Sequence, residues 1–528
     1  MFKALVANWH RQPLLFALGI LALLQIILRF PACFEPYWYG DEGIYLTLGQ
    51  AINRGSVLYK DIIDHKTPVI YHLATVGSQH NFRILLLGMM IAASTAFFWI
   101  LRQLTKKPLI SLLGAIAFSV ITALPWYEGL IPNGELFVMS FVLVGLAIAL
   151  SHRDFLALVR GAAPSSKMRS SWMLVIAGML FSLGILTKVP AVFDVAAAFF
   201  LGVLVIANQV LPWSKREDHW RKSFVTVLKT WSWLLLGIVI PILLSIAYFA
   251  LRGALQEYFD YGLLYNFRYS GSWSPDHLGE QWLWLTNLGV KAGLTAITLL
   301  GLTLLGSRVS LTLRWSFGWV LLALFASLIS NRPYPHYFLQ ILPAFIILIT
   351  LGAGELLQWY RSRTKRDSVD AVIAVIFMLI ATLFFVGAHL LVGMRPYVAG
   401  DYYTRFYQFA TGQMTSVQYR DSFNGLMRDN YAIAPTLMAE PDSTLFIWGT
   451  NPMLYALTNK TPVSRFTVQF HIKDFDAELE TLDRLTSETP SFIVLMNDET
   501  PPVELKALLG ARYLRVSKFE TFSAYKLR

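Results

Sequence analysis

Six polar side chains that could do chemistry lie in one stretch, "YGDEGIYLTLGQAINRGSVLYKDIIDHKTPVIYHL", at residues 39–73. Carboxylates act as general bases or hold a divalent cation, and a lysine binds phosphate as a point charge. The stretch therefore predicts a site that accepts a proton and neutralises an anion. The six candidates are Asp41, Glu42, Asp61, Asp64, His65 and Lys66.

Further ionisable residues occur in polar segments such as "PWYEGLIPNGE", "TKVP" and "NRPYPHYF", each between two apolar segments. Acids in this set could remove a proton from an acceptor, and the bases could hold a phosphate. Taken singly, each could equally solvate a loop, cap a helix or anchor a membrane helix. The members are Glu128, Glu135, Lys188, Arg268, Arg332 and His336.

The composition is that of a membrane protein. Of the 528 residues, 55% are hydrophobic and only 15% are charged, and the mean hydropathy is +0.51. A soluble globular protein carries about 25% charged residues. The single cysteine, Cys33, excludes an internal disulfide.

Eleven apolar segments come close to the length of about 20 residues with which a helix crosses the hydrocarbon core. The first segment is followed by no small-residue cleavage motif, so we interpret it as an uncleaved span and not as a signal peptide. The predicted spans are 13–30, 83–101, 108–125, 135–150, 171–187, 190–208, 229–251, 285–305, 313–331, 337–356 and 370–393.

The positive residues indicate the orientation of these spans. With a cytoplasmic N-terminus, the inner segments carry 20 Lys and Arg and the outer loops carry 9. Because positive residues accumulate on the cytoplasmic side, the first loop, about 31–82, and the C-terminal region are predicted to face outward. The net charge of +11 is then a topology signal, and no nucleic-acid partner is expected.

Two domains are predicted, a membrane domain at 1–393 and a C-terminal domain at 394–528. In the second, "STLFIW" and "SFIVLM" have the composition of strands, whereas "DAELETLDRLTSE" and "VELKALLG" have helical spacing. We expect the last helix to end at Gly510, and one or two strands to close the chain. The fold class predicted is a polytopic α-helical membrane protein with a small extracytoplasmic α/β domain.

All of the conspicuous polar clusters fall on the predicted outer side. Charges at the edge of the hydrocarbon are costly, and they usually line a cavity or pair with one another. Acids and bases together on one face therefore predict a site that handles an anionic lipid headgroup from outside. Asp194, inside a predicted span, is either a buried functional acid or a sign that the span begins later.

The acidic pair after the first span, followed by "RGSVLYKDIIDHKTP", resembles the membrane glycosyltransferases of the GT-C superfamily. The resemblance is greatest to bacterial relatives of the dolichyl-phosphate-mannose protein mannosyltransferases and to the lipid A aminoarabinose transferases. "PNGELF", "TKVP", "RPYPHYFLQILP" and "FIWGTNPMLYALTNKTPVSRF" also resemble segments of these enzymes, so the resemblance covers most of the chain.

The resemblance implies that Asp41 is the catalytic base, with Glu42 in support, and that Lys66 contacts the lipid phosphate. Further phosphate contacts are expected from Lys188, Arg268, Arg332 or His336. Two departures make aminoarabinose specificity doubtful, because His65 replaces the glutamate before the lysine, and Ile44 replaces an arginine. A divalent metal, if one assists, is expected on Asp41, Glu42 and Asp64.

The implied activity is transfer of a sugar from a polyprenyl monophosphate to an acceptor hydroxyl, with inversion, at the outer face of a bacterial cytoplasmic membrane. The acceptor could be a glycan, a lipid or a protein. Two alternatives remain open. A transporter or flippase predicts ionisable groups near the middle of the membrane and inverted repeats. A non-enzymatic envelope scaffold leaves the acidic pair and the lysine unexplained.

Overall fold

A computed structural model of the protein describes residues 13–161, 171–211, 220–273, 275–362, 365–395 and 397–528. Helices dominate up to residue 438, and a small sheet follows. The helices of the first part are α1 Pro13–Arg29, α2 Gly40–Asn53, α3 Val69–Leu73, α4 Gln79–Thr105, α5 Pro108–Ile121, α6 Gly134–Ser151, α7 Arg153–Val159, α8 Trp172–Ile185, α9 Ala191–Val210, α10 Trp220–Leu251, α11 Leu255–Phe259, α12 Tyr265–Gly271, α13 Leu288–Leu304, α14 Leu311–Ser327, α15 Leu342–Ser362 and α16 Lys365–Val392.

Short 3₁₀ and π segments join several of these helices. A π segment, Asp260–Leu264, connects α11 to α12. The 3₁₀ segments are Phe30–Phe34, Ala74–Val76, Pro125–Tyr127, Glu280–Thr286, Gly306–Arg308 and Pro335–Ile341.

Within the described residues, seven helices are long and apolar enough to cross a membrane. An eighth candidate is the pair Glu280–Thr286 and α13, which is bent by 65°, and three shorter apolar helices are α5, α8 and α14. Each of the eleven predicted spans falls on one of these elements. The polytopic helical fold is therefore confirmed, whereas the number of crossings stays a prediction.

Close helix packing in the bundle depends on small residues. At the crossing of α8 and α10, a Cβ atom on Gly237 would lie 2.1 Å from the carbonyl oxygen of Val175. Glycine lets two backbones approach where hydrophobic attraction between helices is absent. The backbones of α8 and α10 are therefore in direct contact at this crossing.

The C-terminal region begins with three helices and continues as a sheet of four strands, β1 Leu445–Trp448, β2 Phe492–Met496, β3 Tyr513–Lys518 and β4 Phe522–Leu527. Their order in the sheet is β1-β2-β4-β3. Strands β1 and β2 are parallel, and β4 is antiparallel to both β2 and β3. The predicted α/β unit is confirmed, but its last helix continues past Gly510 to Arg512. Its elements are α17 Ala399–Ala410, α18 Ser416–Asp421, α19 Gly425–Met438, β1 Leu445–Trp448, α20 Pro452–Thr458, α21 Gln469–Asp474, α22 Glu478–Glu488, β2 Phe492–Met496, α23 Val503–Arg512, β3 Tyr513–Lys518 and β4 Phe522–Leu527.

The C-terminal unit packs directly on the first loop of the membrane domain. The backbone N–H of Ile63 donates to the carbonyl of Arg465 at 2.8 Å. Helix α20 lies against α2, where a Cβ atom on Gly43 would come within 2.8 Å of the backbone nitrogen of Met453. The side chain of Gln50 donates to the carbonyl of Ala456. These contacts fix the sheet domain above α2.

Candidate functional site

Helix α2 places Asp41 at the edge of a cavity. The helix begins at Gly40, so the Asp41 carboxylate lies in its first turn, where the helix dipole favours a negative charge. The carboxylate accepts a hydrogen bond from the Tyr45 hydroxyl at 3.1 Å. Its side chain keeps 29% exposure. Asp41 is thus ionised, oriented and accessible, as a general base has to be.

Glu42, the next residue, points in another direction. Successive residues of a helix are about 100° apart around its axis. Both Glu42 carboxylate oxygens accept hydrogen bonds from Arg83, at 2.9 and 2.7 Å, and the Gln79 amide donates a third. Glu42 is buried and lines no cavity found at the site. Its contacts fix α2 to α4.

Lys66 is held beside Asp41 by the segment that follows α2. Its ammonium lies 3.3 Å from the Asp41 carboxylate, 3.9 Å from Asp64 and 5.0 Å from the centre of the Tyr45 ring. Its backbone is fixed on both sides, because its N–H donates to the Tyr71 hydroxyl and its carbonyl accepts from Tyr59. The lysine therefore reaches the site from a rigid loop.

Asp64 is fully buried between the loop and the C-terminal domain. The Tyr71 hydroxyl donates to one carboxylate oxygen at 2.5 Å. The other oxygen lies 3.1 Å from Nδ1 of His65 and 3.5 Å from Nε2 of His471. Nδ1 of His65 and Nε2 of His471 are themselves 3.0 Å apart. Two histidines and a carboxylate from two domains therefore meet at one point.

This cluster fits a divalent metal ion. One ligand atom from each of Asp64, His65 and His471 lies within 4.8 Å of the other two. The second Asp64 oxygen, which faces both histidines, is buried without a hydrogen-bond partner among the described residues. A set of three ligands made of histidine nitrogens and a carboxylate suits zinc. We predicted a metal on Asp41, Glu42 and Asp64, and the structure brings only Asp64 of these three into such a cluster.

Two cavities meet at Lys66. The first, about 620 Å³, is lined by Asp41 and by several tyrosines. The second, about 360 Å³, is lined largely by apolar side chains, among them Phe193, Leu263 and Phe325. Four residues line both cavities, namely His65, Lys66, Tyr269 and Tyr337. We call the first the polar cavity and the second the apolar cavity.

The apolar cavity contains a second lysine. Lys188, in the turn between α8 and α9, pairs with Glu135 at the start of α6. Its ammonium also lies 4.1 Å from the centre of the Tyr337 ring. Lys66 and Lys188 thus place two cations in a cavity that is otherwise mostly apolar, which is an arrangement suited to an anion on an apolar chain.

Glu128 and His336 lie together on the wall of the polar cavity. Nδ1 of His336 is 2.5 Å from the Glu128 carboxylate, and the Tyr39 hydroxyl donates to the same carboxylate. The structure therefore brings both predicted residues to the site, but as partners of each other. His336 lies on the side of the cavity with Asp41, away from the apolar cavity.

Four further residues from the sequence analysis lie outside both cavities. Asp61 is exposed and accepts a hydrogen bond from the backbone N–H of Val57. Arg268 donates to the carbonyl of Asp474. The Arg332 guanidinium stacks 4.1 Å from the Tyr269 ring centre, behind the cavity wall. Asp194 accepts hydrogen bonds at 2.7 Å from Trp319 and Gln340, so it is a satisfied buried acid.

Charges around the site set its protonation. Burial raises the pKa of Asp41, but the cations Lys66, His336 and Lys188 together outweigh this effect, and the net pKa lies below its ordinary value of 3.8. For Lys66, burial lowers the pKa, and Asp41 with its other neighbours raises it well above 10.5. Burial lowers the pKa of His471 to about 3, so its imidazole is neutral at pH 7. Burial raises the pKa of Tyr269 to about 12.

Several site residues carried no signal in the sequence. His471 lies 406 positions after His65, and Tyr269 and Tyr337 belong to two other polar segments. His471 and Tyr269 have no motif around them, and Tyr337 lies within "RPYPHYFLQILP", where the sequence did not single it out. Arg395 and Phe470, which also line the polar cavity, were likewise not identified. Only an alignment or a fold brings such residues together.

The fold is found in solved structures. The crystal structure of ArnT from Cupriavidus metallidurans bound to undecaprenyl phosphate matches with a TM-score of 0.53 and 13% identity, over 96% of this chain and 97% of that one. The oligosaccharyltransferase AglB from Archaeoglobus fulgidus, in complex with an inhibitory peptide and a dolichol-phosphate, matches with a TM-score of 0.44 and 12% identity, over 92% and 70% of the two chains.

ArnT is a GT-C superfamily member, and the likeness to it extends over nearly the whole length of both chains. The predicted GT-C fold is therefore confirmed. No protein-family model matches the sequence. No curated protein matches it either. The comparisons thus give the architecture, and the chemistry has to be argued from the site.

Proposed function

We propose that the protein is a membrane glycosyltransferase that moves a sugar from a polyprenyl monophosphate to an acceptor hydroxyl. The observation that carries the proposal is the position of Lys66, which lies between a polar and an apolar cavity with Asp41 at its side. A donor of this class has an apolar chain, a phosphate and a polar sugar in that order. The site offers a matching surface for each part.

The apolar cavity takes the prenyl chain next to the phosphate. Lys66 and Lys188 bind the phosphate oxygens there, and the sugar extends past Tyr269 and Tyr337 into the polar cavity. The ArnT neighbour binds undecaprenyl phosphate, which supports a lipid phosphate as the ligand of this fold. The fold does not identify the sugar.

Asp41 acts as the base. The acceptor oxygen forms a bond to the anomeric carbon while its proton passes to the Asp41 carboxylate. The bond between that carbon and the phosphate oxygen breaks, and its electron pair leaves with the phosphate. Lys66 and Lys188 stabilise the charge that develops on this leaving group. A direct displacement of this kind inverts the anomeric centre.

The ion pair between Asp41 and Lys66 has to open during this reaction. At 3.3 Å the two groups leave no room for a sugar carbon between them. We infer that the donor phosphate attracts Lys66 toward the apolar cavity and thereby frees Asp41 for the acceptor. Before the donor arrives, the ion pair keeps both groups charged inside a buried site.

A metal at Asp64, His65 and His471 would act beside this chemistry. Such an ion supplies positive charge and a fixed geometry where the loop meets the C-terminal domain. It would hold the segment before Lys66 in place. The proposed steps depend on the chain's own residues and involve no reaction at the metal.

The proposed orientation places both cavities at the outer leaflet of a bacterial cytoplasmic membrane, with the N-terminus inside. It rests on the excess of Lys and Arg in the predicted inner segments. A lipid-linked donor is suited to this side, because it carries the sugar across the membrane. Epitope tags between α2 and α4 test the orientation, and cytoplasmic labelling would contradict it.

Transport of the lipid-linked sugar is the alternative. A pathway through the membrane requires ionisable groups that a substrate can reach at mid-depth. Two buried ionisable groups in apolar helices are occupied by protein partners instead. Asp194 has Trp319 and Gln340, and Lys291 donates to Asn331 and to the carbonyl of Leu328. This pattern favours the enzyme.

One assay separates the two functions. Purified protein is incubated with a radiolabelled synthetic polyprenyl-phosphate sugar and candidate acceptors, and free polyprenyl phosphate is quantified. An enzyme releases the lipid phosphate together with a labelled acceptor, and the Asp41→Asn variant does not. Movement of intact donor across a liposome without any release would overturn the proposal.

A further inference from the structure

A third cavity, of about 590 Å³, lies at the opposite end of the bundle from Asp41. It is next to the last turn of α4, a helix of 27 residues whose first turn contacts Glu42. With a rise of 1.5 Å per residue, the two ends of α4 are about 40 Å apart. This cavity is therefore separate from the proposed catalytic site and does not depend on it.

Three cations line this cavity, namely Arg102 and Lys106 at the end of α4 and Arg160 after α7. No acidic residue is among its described lining residues, and Asp154, the acid of α7, does not line it. The segments that adjoin Pro13 and Gly161 in the sequence, 1–12 and 162–170, contain no Asp or Glu. The described lining of the cavity thus carries three positive charges and no negative one.

The cations are held in place, and one is left unsatisfied. Arg160 donates to both the carbonyl and the side-chain oxygen of Gln103, which fixes its guanidinium against α4. Nη1 of Arg102 is buried without a hydrogen-bond partner among the described residues. A buried donor of this kind costs free energy unless a ligand or water accepts from it. An anion that enters the cavity would supply the missing acceptor.

The other wall of the cavity is apolar. It is formed by Leu14 and Leu15 of α1 and by Trp99 of α4, and Leu15 is 59% exposed. Tryptophan is frequent at the level of lipid headgroups. Cations beside an apolar face that is open to the membrane match an anionic headgroup together with the first carbons of its acyl chains.

We propose that this cavity, formed by α1, α4 and α7, binds the phosphate of an anionic phospholipid. Arg102, Lys106 and Arg160 hold the phosphate, and Leu14, Leu15 and Trp99 hold the glycerol end of the acyl chains. Ordinary basic anchors at a membrane surface are solvated one by one, whereas here three cations line one cavity. The bound lipid joins the ends of three helices.

Native mass spectrometry of the full-length protein tests this site. The protein is exchanged into detergent micelles that contain phosphatidylglycerol, and retained lipid is counted. We expect the triple variant Arg102→Gln, Lys106→Gln, Arg160→Gln to lower retention at least tenfold. The matched control removes three exposed cations elsewhere, Lys222→Gln, Lys229→Gln and Arg361→Gln, and should retain the lipid. Lys66→Gln should retain it as well.

Equal loss of retained lipid in the two triple variants would show that the lipid responds to the overall positive charge, and it would overturn the proposed site. Release of the lipid by millimolar inorganic phosphate would assign the cavity to a soluble phosphate and overturn the proposal that a phospholipid is its ligand. If the triple variant misfolds, Lys106→Gln, which removes an exposed side chain, must still lower retention, and unchanged retention in that variant overturns the proposal.

Discussion

The Lys66 ammonium lies 3.3 Å from the Asp41 carboxylate, and only the lysine of this pair also lines the apolar cavity. A carboxylate and an ammonium in contact stabilise each other's charge in a buried site. Each group therefore stays ionised until a substrate separates them. The pair therefore defines where the phosphate and the acceptor of the proposed reaction have to bind, on opposite sides of the sugar.

Replacing Asp41 by Asn should abolish transfer without unfolding the protein. A general base contributes about 10²- to 10⁴-fold to a rate, and the amide cannot accept the proton. Single-turnover assays with labelled donor measure the loss, and the melting temperature should change little, because Asp41 is partly exposed. An Asn variant with the activity of the wild type would exclude Asp41 as the base.

Replacing Lys66 by Ala should impair use of the donor more than use of the acceptor. The ammonium faces the phosphate, so its removal costs about 10²- to 10³-fold in transfer and raises the KM for the donor. Lys66→Arg keeps the charge and should recover part of the rate. Initial rates with each substrate varied in turn provide the measurement. Equal effects on the two KM values would argue against a phosphate contact.

The neighbouring acid has a different role, which Glu42→Gln should reveal. Its carboxylate pairs with buried Arg83, and breaking a buried pair costs about 3–5 kcal/mol. Arg83 keeps its ion pair with Glu35 at 3.0 Å. We therefore expect a loss of stability at the lower end of this range, about 3 kcal/mol, which is measured as a lower melting temperature. Transfer per folded molecule should stay near that of the wild type. A stable but inactive variant would instead place Glu42 in the reaction.

The contrast between Asp41 and Glu42 shows how far the sequence leads. Their identity and their place after the first span indicated a site, and the structure brings Asp41 to a cavity. From the sequence, both acids were expected at one site, but successive residues of a helix point in different directions. Only the position of Arg83 on α4 shows that Glu42 pairs with that arginine. Side-chain direction depends on the packing of elements, which a single sequence does not contain.

The apolar segments were predictable for a physical reason. A helix in hydrocarbon has to be apolar over most of its length, so all eleven segments fall on helices of the structure. The contact between His65 and His471 was not predictable, because it joins two domains over 406 positions. No local pattern encodes such a contact, which forms where α21 meets the loop before Lys66.

Zinc should stabilise the protein through this interdomain contact. If Asp64, His65 and His471 bind the ion, zinc at about 100 times its Kd adds about 2.7 kcal/mol of stability. The His471→Ala variant should lose both the rise in melting temperature and the bound zinc measured by elemental analysis. A chelator should lower the melting temperature of the wild type alone. Zinc retained by the Ala variant would place the ion elsewhere.

The pH profile should identify Lys188 as the second phosphate contact. Burial lowers its pKa below the ordinary value of 10.5, although Glu135 acts in the opposite direction. Lys188 therefore loses its charge as the pH rises through this lowered pKa, and kcat/KM for the donor, which reports the free enzyme, should fall on the alkaline side below pH 10.5. Lys188→Arg keeps its charge and should move this fall to higher pH. The wild type and the Arg variant contain the same Lys66 and Asp41. If the fall in kcat/KM stays at the same pH in the Arg variant, it belongs to another group, and Lys188 is removed from the phosphate site.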